Sequence, residues 1–174
     1  MFHFSKVNIV GGAGSGTSTI GKKLAKKWSC AHFEADDFLW QPTDPPYVEL
    51  RTNEEKNQMA YDAMHVESSY IISGSISSWQ ERNVALLTGV VFLDVATEIR
   101  LRRLEAREVA RFGKIDQKFY DWATQYEEGR LPGRSRSRHE LWLNSLSIKV
   151  LKVNGEGAVN DIVQEIESKL LGVD

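Results

Sequence analysis

The stretch "KVNIVGGAGSGTSTIGKKLA", Lys6 to Ala25, constrains this chain more than any other. An apolar run ends in four glycines within six residues, Gly11, Gly12, Gly14 and Gly16, and a helical pattern follows at once. The template for a loop that wraps phosphate is G-x-x-x-x-G-K-[ST] between a strand and a helix. Gly11 and Gly16 keep its spacing and Ser18 takes the hydroxyl position, but Thr17 stands where the lysine belongs. Glycine lets the backbone curl with its N–H groups inward, through torsions that a Cβ obstructs. The helix start adds free N–H groups and partial positive charge at the same spot. Anion binding by Gly11, Gly12, Ala13, Gly14, Ser15, Gly16, Thr17, Ser18 and Thr19 is therefore expected to outlast the loss of one side-chain charge. That lysine is a point charge on the terminal phosphates, and threonine offers only a hydroxyl. Lys22 and Lys23, one or two turns along the helix, are expected to point away, which leaves downstream arginines as the replacement. The dinucleotide fingerprint G-x-G-x-x-G fits less well. Started at Gly12 or Gly14, it meets Thr17 or Thr19 in place of its last glycine, although Asp36 lies at the distance of a ribose-binding acid.

The rest of the chain alternates. "AHF" (31–33), "YIIS" (70–73), "VVFLDV" (90–95) and "IKVLKV" (148–153) are short apolar runs like "KVNIV" (6–10). Runs without polar alternation suit strands buried on both faces of a parallel sheet. Between them lie helix-like stripes: Ile20, Leu24 and Trp28; Met59, Ala63 and Val66; Ile99, Leu101, Leu104 and Val109; Ile162, Val163, Ile166 and Leu170. A β-α-β-α alternation predicts an α/β fold with helices on both faces of the sheet. The 174 residues suit one domain, 1–174. A net charge of −2 points neither to nucleic acid nor to an anionic membrane. The one cysteine, Cys30, has no partner for an internal disulfide and reads as small filler. No signal-peptide pattern and no apolar run of spanning length is present, so a cytoplasmic location is expected.

Two clusters carry candidate chemistry. "HFEADDFLW" places Glu34, Asp36 and Asp37 after the second strand, at the edge where parallel sheets bind ligands. Three neighbouring carboxylates repel unless a cation or a donor compensates, and Mg²⁺ or a substrate hydroxyl would do so. Asp36 or Asp37 could orient an acceptor hydroxyl and take its proton, and one of the two is expected to cap a helix beginning at Phe38. Trp40, just behind, is a candidate for stacking on an acceptor ring. The second cluster is arginine: nine of eleven lie between Arg100 and Arg138. Arg100, Arg103, Arg107 and Arg111 share one helical stripe, and Arg130, Arg134, Arg136 and Arg138 follow beyond a glycine-containing insertion. Two arginine sets flanking such a segment fit a lid, about 112–138, that closes over phosphates. Eight acids among eleven basic residues from 98 to 140 are too mixed for a nucleic-acid footprint.

These residues resemble the adenylate kinase-like branch of phosphate-loop kinases, which includes nucleoside monophosphate, shikimate and gluconate kinases. The resemblance rests on "GGAGSGTST", "EADDFLWQPTDPPYVELR", "YIISGS", "RLRRLEAR" and "VLKVNG" and runs nearly the length of the chain. More narrowly, "TDPP", "SGS" and "RHE-x-W" are similar to bacterial adenylate kinase-related ATPases of undefined substrate. The resemblance implies a three-layer fold with a five-stranded parallel sheet, ATP and Mg²⁺ as cofactors, and a small-molecule acceptor, such as a nucleoside monophosphate, bound by about residues 36–68. It implies that Ser18 and Glu34 assist Mg²⁺ and that Glu34, Asp36, Arg51, Gly74 and Arg138 serve the acceptor. It further implies that Arg103 and Arg107 contact the transferring phosphate at the base of the lid, and that Asn154 lies near the adenine. Two departures stand out: the missing lysine, and Ser73 where many nucleotide kinases place an acid. The first leaves open a nucleotide-binding regulatory protein or a weak NTPase, and the second shifts metal binding towards Ser18 and the 34–37 acids.

Overall fold

The computed structural model describes residues 4–172, so residues 1–3 and 173–174 at the ends of the expected 1–174 domain lie outside it. Five strands run in parallel in one sheet: β1 Lys6–Gly11, β2 Ala31–Glu34, β3 Tyr70–Ser73, β4 Gly89–Asp94 and β5 Lys149–Asn154. Their spatial order is β2-β3-β1-β4-β5, with Val7 beside both Ile71 and Gly89. The helices are α1 Thr17–Trp28, α2 Ala35–Leu39, α3 Asn53–His65, α4 Glu81–Val84, α5 Thr97–Phe112, α6 Gln117–Thr124, α7 Arg136–Ser145 and α8 Val159–Leu171. The α/β fold with its five-stranded parallel sheet is as the sequence predicts.

Strand residues alternate between two cores. Val7, Ile9, Ile71, Val91, Leu93 and Val153 face α1 and α8, where Ile20, Leu24, Ile162 and Ile166 close over them. Val10, Tyr70, Ile72, Val90 and Phe92 face the other way, towards Phe38, Ala60, Met64 and Leu143. This is the three-layer arrangement that covers both faces of a parallel sheet. Gly21 allows α1 to lie close, because a Cβ there would stand 2.0 Å from Ser73 Oγ.

Two helical faces differ from the sequence reading. On α3, Met59 and Val66 are 43% and 68% exposed, and the buried face is Lys56, Asn57, Ala60 and Met64. A polar tie explains the rotation. Asn57 Oδ1 accepts from Gln80 N (2.8 Å) and from Asn83 Nδ2 (2.9 Å), which fastens α3 to α4. On α5 the buried face is Arg100, Leu104 and Glu108, not the purely apolar stripe through Val109, which is exposed. Segment 113–135 lays Tyr126 against this face, with its ring centroid 4.7 Å from the Arg100 guanidinium. The capping expectation is also corrected. α2 begins at Ala35 with Glu34 in the cap position, so Asp36 and Asp37 both lie inside its first turn. Carboxylates there complement the helix dipole without capping it.

Candidate active site

The loop after β1 sits where strand order reverses, the place at which open α/β sheets bind ligands. Gly14 (φ 84°) and Gly16 (φ 93°) take left-handed torsions, and Ser15 N donates to Gly12 O at 3.0 Å. Gly16 caps α1 through its backbone alone, and the first turn of α1 carries no acid. The helix start thus carries no carboxylate of its own. The Ser15 hydroxyl is buried with no partner among the described residues.

Ser18 Oγ donates to Glu34 Oε2 at 2.7 Å, joining α1 to the end of β2. Lys22 Nζ lies 3.2 Å from Glu34 Oε1. Lys22 therefore does not point away, as the sequence had suggested. It stands four residues after Ser18, and helical side chains tilt towards the N-terminus, so its head reaches Glu34 beside Ser18. That spacing was visible in the sequence. A hydroxyl and a carboxylate side by side are hard oxygen donors of the kind Mg²⁺ takes alongside nucleotide phosphates. Among the described residues no group of three or more His, Cys, Asp and Glu side chains could hold a metal alone. The residues present fit a cation shared with a bound phosphate.

Asp36 is half-buried and Asp37 more open. Desolvation, then the like charges of Glu34 and Asp36, push the Asp37 carboxyl above its ordinary range. Ser73, the departure on β3, has a local task. Its Oγ donates to Thr17 O at 3.1 Å and accepts from His32 Nε2 at 2.9 Å, which braces the start of α1. Gly74 follows at φ 104°, where a Cβ would approach that of Ala35 to 3.1 Å.

The arginines are placed as follows. Arg51 Nη1 donates to the carbonyls of Asp37 (2.8 Å), Phe38 and Trp40, so this arm secures the C-terminal end of α2. Beside it, Gln41, Arg51, Glu54, Glu55 and Gln58 line an open cleft of about 640 Å³. Trp40 meets Tyr47 edge-on at 6.0 Å. Arg103 donates to Gly155 O (2.9 Å) and Glu156 O (3.1 Å), holding the turn after β5. Asn154 Oδ1 accepts from Glu156 N in that turn, and Asp94, Lys152, Asn154 and Glu156 help line a second cleft of about 440 Å³. Arg107 pairs with Glu108, and Arg138 donates to Leu131 O and Gly133 O. The structure thus gathers the loop, Ser18, Glu34, Asp36 and Asp37 at one edge and engages Arg51, Arg103, Arg107 and Arg138 locally.

Arg100, which the sequence reading grouped with the lid arginines, is buried against the loop and donates to Ala13 O at 3.0 Å. His139 is buried too, with Nδ1 2.8 Å from Tyr126 Oη and Nε2 2.9 Å from Ser75 Oγ. Burial, then Arg134 and Arg136, lowers its pKa from 6.5 to about 4. Between those values the unfolded chain binds a proton that the folded chain refuses, so stability falls as pH drops through the window. The loss is expected to reach about 3 kcal/mol below pH 4, at 1.36 kcal/mol per pKa unit. Urea unfolding across pH 7 to 4 measures it. His139→Gln, which keeps one hydrogen-bonding arm, should flatten the slope, and an unchanged slope would assign it to other groups.

A glycine loop at a sheet switch point, a hydroxyl–carboxylate pair at its mouth and a helix start aimed into it define a phosphate-loop domain. The sequence profile of the family described as "AAA domain" matches residues 7–120, and the chain belongs to that family. It is 31% identical over 170 residues to "Uncharacterized protein YqaC" of Bacillus subtilis (strain 168), covering 92% of this chain and 94% of that one. Solved structures share the fold. A shikimate kinase from Bacteroides thetaiotaomicron superposes with TM-score 0.65 at 17% identity, over 98% of this chain and 99% of its own. A gluconokinase from Sinorhizobium meliloti 1021 gives 0.62 at 14%, over 99% and 95%. A shikimate kinase from Acinetobacter baumannii in complex with shikimate gives 0.64 at 16%, over 97% and 94%. The fold is therefore that of the phosphate-loop kinases, as the motifs implied.

Proposed function

We propose that this chain is a cytoplasmic ATP- and Mg²⁺-dependent phosphotransferase that moves the terminal phosphate of ATP to a hydroxyl of a small molecule. The Ser18–Glu34 pair, 2.7 Å apart at the mouth of the glycine loop, carries the reading. Gly11 to Thr19 hold the phosphates through backbone N–H groups, and Ser18 and Glu34 would hold the metal. Bound Mg²⁺ would neutralise charge on the phosphates as the transferring group departs. Asp36 orients the acceptor hydroxyl and takes its proton. Arg103 and Arg107, on α5 at the base of a lid of about residues 112–138, would contact the transferring phosphate once that lid closes. Asn154 and the cleft beside it would receive the base. Catalysis in this scheme is positioning and charge neutralisation rather than covalent chemistry.

The acceptor edge favours a neutral polyhydroxyl compound over a monophosphate. Glu34, Asp36 and Asp37 gather there, while an arm of Arg51 and one of Arg138 donate to main-chain carbonyls. An anionic acceptor would meet repulsion from that edge. The neighbours named for shikimate and gluconate leave a hydroxy acid as the second class to test.

Calorimetry with Mg·ATP followed by an ADP-release screen tests the proposal. Sugars and polyols, hydroxy acids and nucleoside monophosphates form the three arms. ATP binding with turnover stimulated by one arm is the expected result. Binding with no stimulation by any acceptor would leave a nucleotide-binding regulator or a weak NTPase. No binding would overturn the nucleotide site altogether.

A further inference from the structure

We infer that the buried Arg100 guanidinium supplies, from behind the phosphate loop, the fixed positive charge that the loop lacks at Thr17. The inference rests on reading the loop as an anion site. Arg100 is 1% exposed. A Cβ on Gly12 would lie 3.0 Å from its Cζ, so the guanidinium is packed directly on the loop backbone. Nη1 donates to Ala13 O at 3.0 Å, and the carbonyl of Arg100 itself lies where a Cβ on Gly14 would be, at 2.1 Å. Loop and arginine fit each other through two of the loop's glycines.

The partners of this cation leave its charge poorly compensated. Ala13 O and Thr97 Oγ1 (3.2 Å) are neutral. Among the described residues its one ion contact is Glu127 Oε1 at 4.0 Å, and the other oxygen of Glu127 already accepts from Arg136 Nε at 2.6 Å. Arg100 Nε is buried and finds no acceptor among the described residues. The Tyr126 ring, 4.7 Å away, lies against the guanidinium and keeps it from turning towards solvent. A cation held this way in a water-poor pocket projects its charge across a few ångströms of backbone far better than an exposed one could. An anion seated in the loop is the missing counter-charge.

Arg100 is accordingly a positioning residue. It fixes the loop's shape through Ala13 and biases its potential, but it does not touch phosphate. The lysine of the general template is mobile and follows the transferring phosphate, and a buried guanidinium cannot. The prediction is a loop that binds polyphosphate without lysine.

The test uses the full chain, Mg²⁺-free inorganic tripolyphosphate and calorimetry at low salt. Arg100→Gln is expected to weaken binding by roughly tenfold or more, and Arg100→Lys to hold it within about threefold, as a charge effect requires. Thr17→Lys is expected to recover most of the loss in the Arg100→Gln background and to add little in the parent, a non-additive pair. Additive effects, or unchanged binding in Arg100→Gln, would overturn the inference. A parent chain that fails to bind tripolyphosphate would overturn it together with the anion site itself. If circular dichroism shows Arg100→Gln unfolded, the Arg100 Nε–H resonance in ¹⁵N-arginine-labelled parent protein decides. It is expected to shift on saturation with tripolyphosphate, and an unmoved resonance would overturn the inference.

Discussion

Gly14→Ala is expected to abolish ATP binding and to destabilise the fold by about 4 kcal/mol, the sum of overpacking and of a strained left-handed torsion. The added Cβ would stand 2.1 Å from the Arg100 carbonyl oxygen and 2.8 Å from its carbon, at φ +84°. Both are main-chain atoms of α5, so no side-chain rotation relieves the clash. Either the loop or the start of α5 must move, and each carries part of the anion site. Gly16 is the control. It is as left-handed, at φ +93°, but nothing lies within 4 Å of its Cβ position. Gly16→Ala therefore incurs the torsional cost alone, about 1 kcal/mol. Urea unfolding and calorimetry with Mg·ATP compare the two. Equal ATP affinity in the two variants would mean that the contact between the loop and α5 does not shape the site.

The fold was legible because its signals are local. Short apolar runs marked all five strands, including the run at 31–33 in β2. The phosphate loop was legible because its glycines answer to backbone torsion, which sequence reports directly. What escaped was side-chain direction. Lys22 was expected to point away, although its spacing from Ser18 puts both on one face and the helical tilt brings its ammonium to Glu34. Arg100 was grouped with arginines of a lid, although with Leu104 and Glu108 it forms the buried face of α5. A stripe of charged residues cannot reveal from sequence that another segment will cover it. Tyr126 and its neighbour His139 cover or adjoin this region from positions 26 and 39 residues along the chain, a pairing that only the tertiary structure brings about. The expected cap failed for a similar reason. The β2–α2 junction is too short for Asp36 or Asp37 to precede the helix, so they entered it.

Asp36→Asn is expected, on the proposed phosphotransfer, to lower turnover by about 10²–10⁴-fold, the usual contribution of a positioned base. The change keeps size and removes the proton acceptor. Among the described residues no hydrogen bond or ion pair engages its carboxylate, unlike that of Glu34, which Ser18 and Lys22 occupy. Affinity for Mg·ATP should stay within about twofold, because a group that acts in the chemical step need not bind the nucleotide. Asp37→Asn separates the neighbours. The Asp37 carboxyl is pushed above the ordinary range by desolvation, then by Glu34 and Asp36. The folded chain thus holds a proton there that the unfolded chain releases, and stability falls as pH rises above the ordinary aspartate value of 3.8. An uncharged asparagine side chain escapes that loss, so the variant should be more stable than the parent at neutral pH and no more stable in strong acid. Its turnover should fall by less than about tenfold, since the base remains. Steady-state kinetics and urea unfolding on the two variants decide between them. A large loss of turnover in Asp37→Asn with little change in Asp36→Asn would transfer the role of base to Asp37, whose raised pKa then becomes the feature that suits it to take a proton.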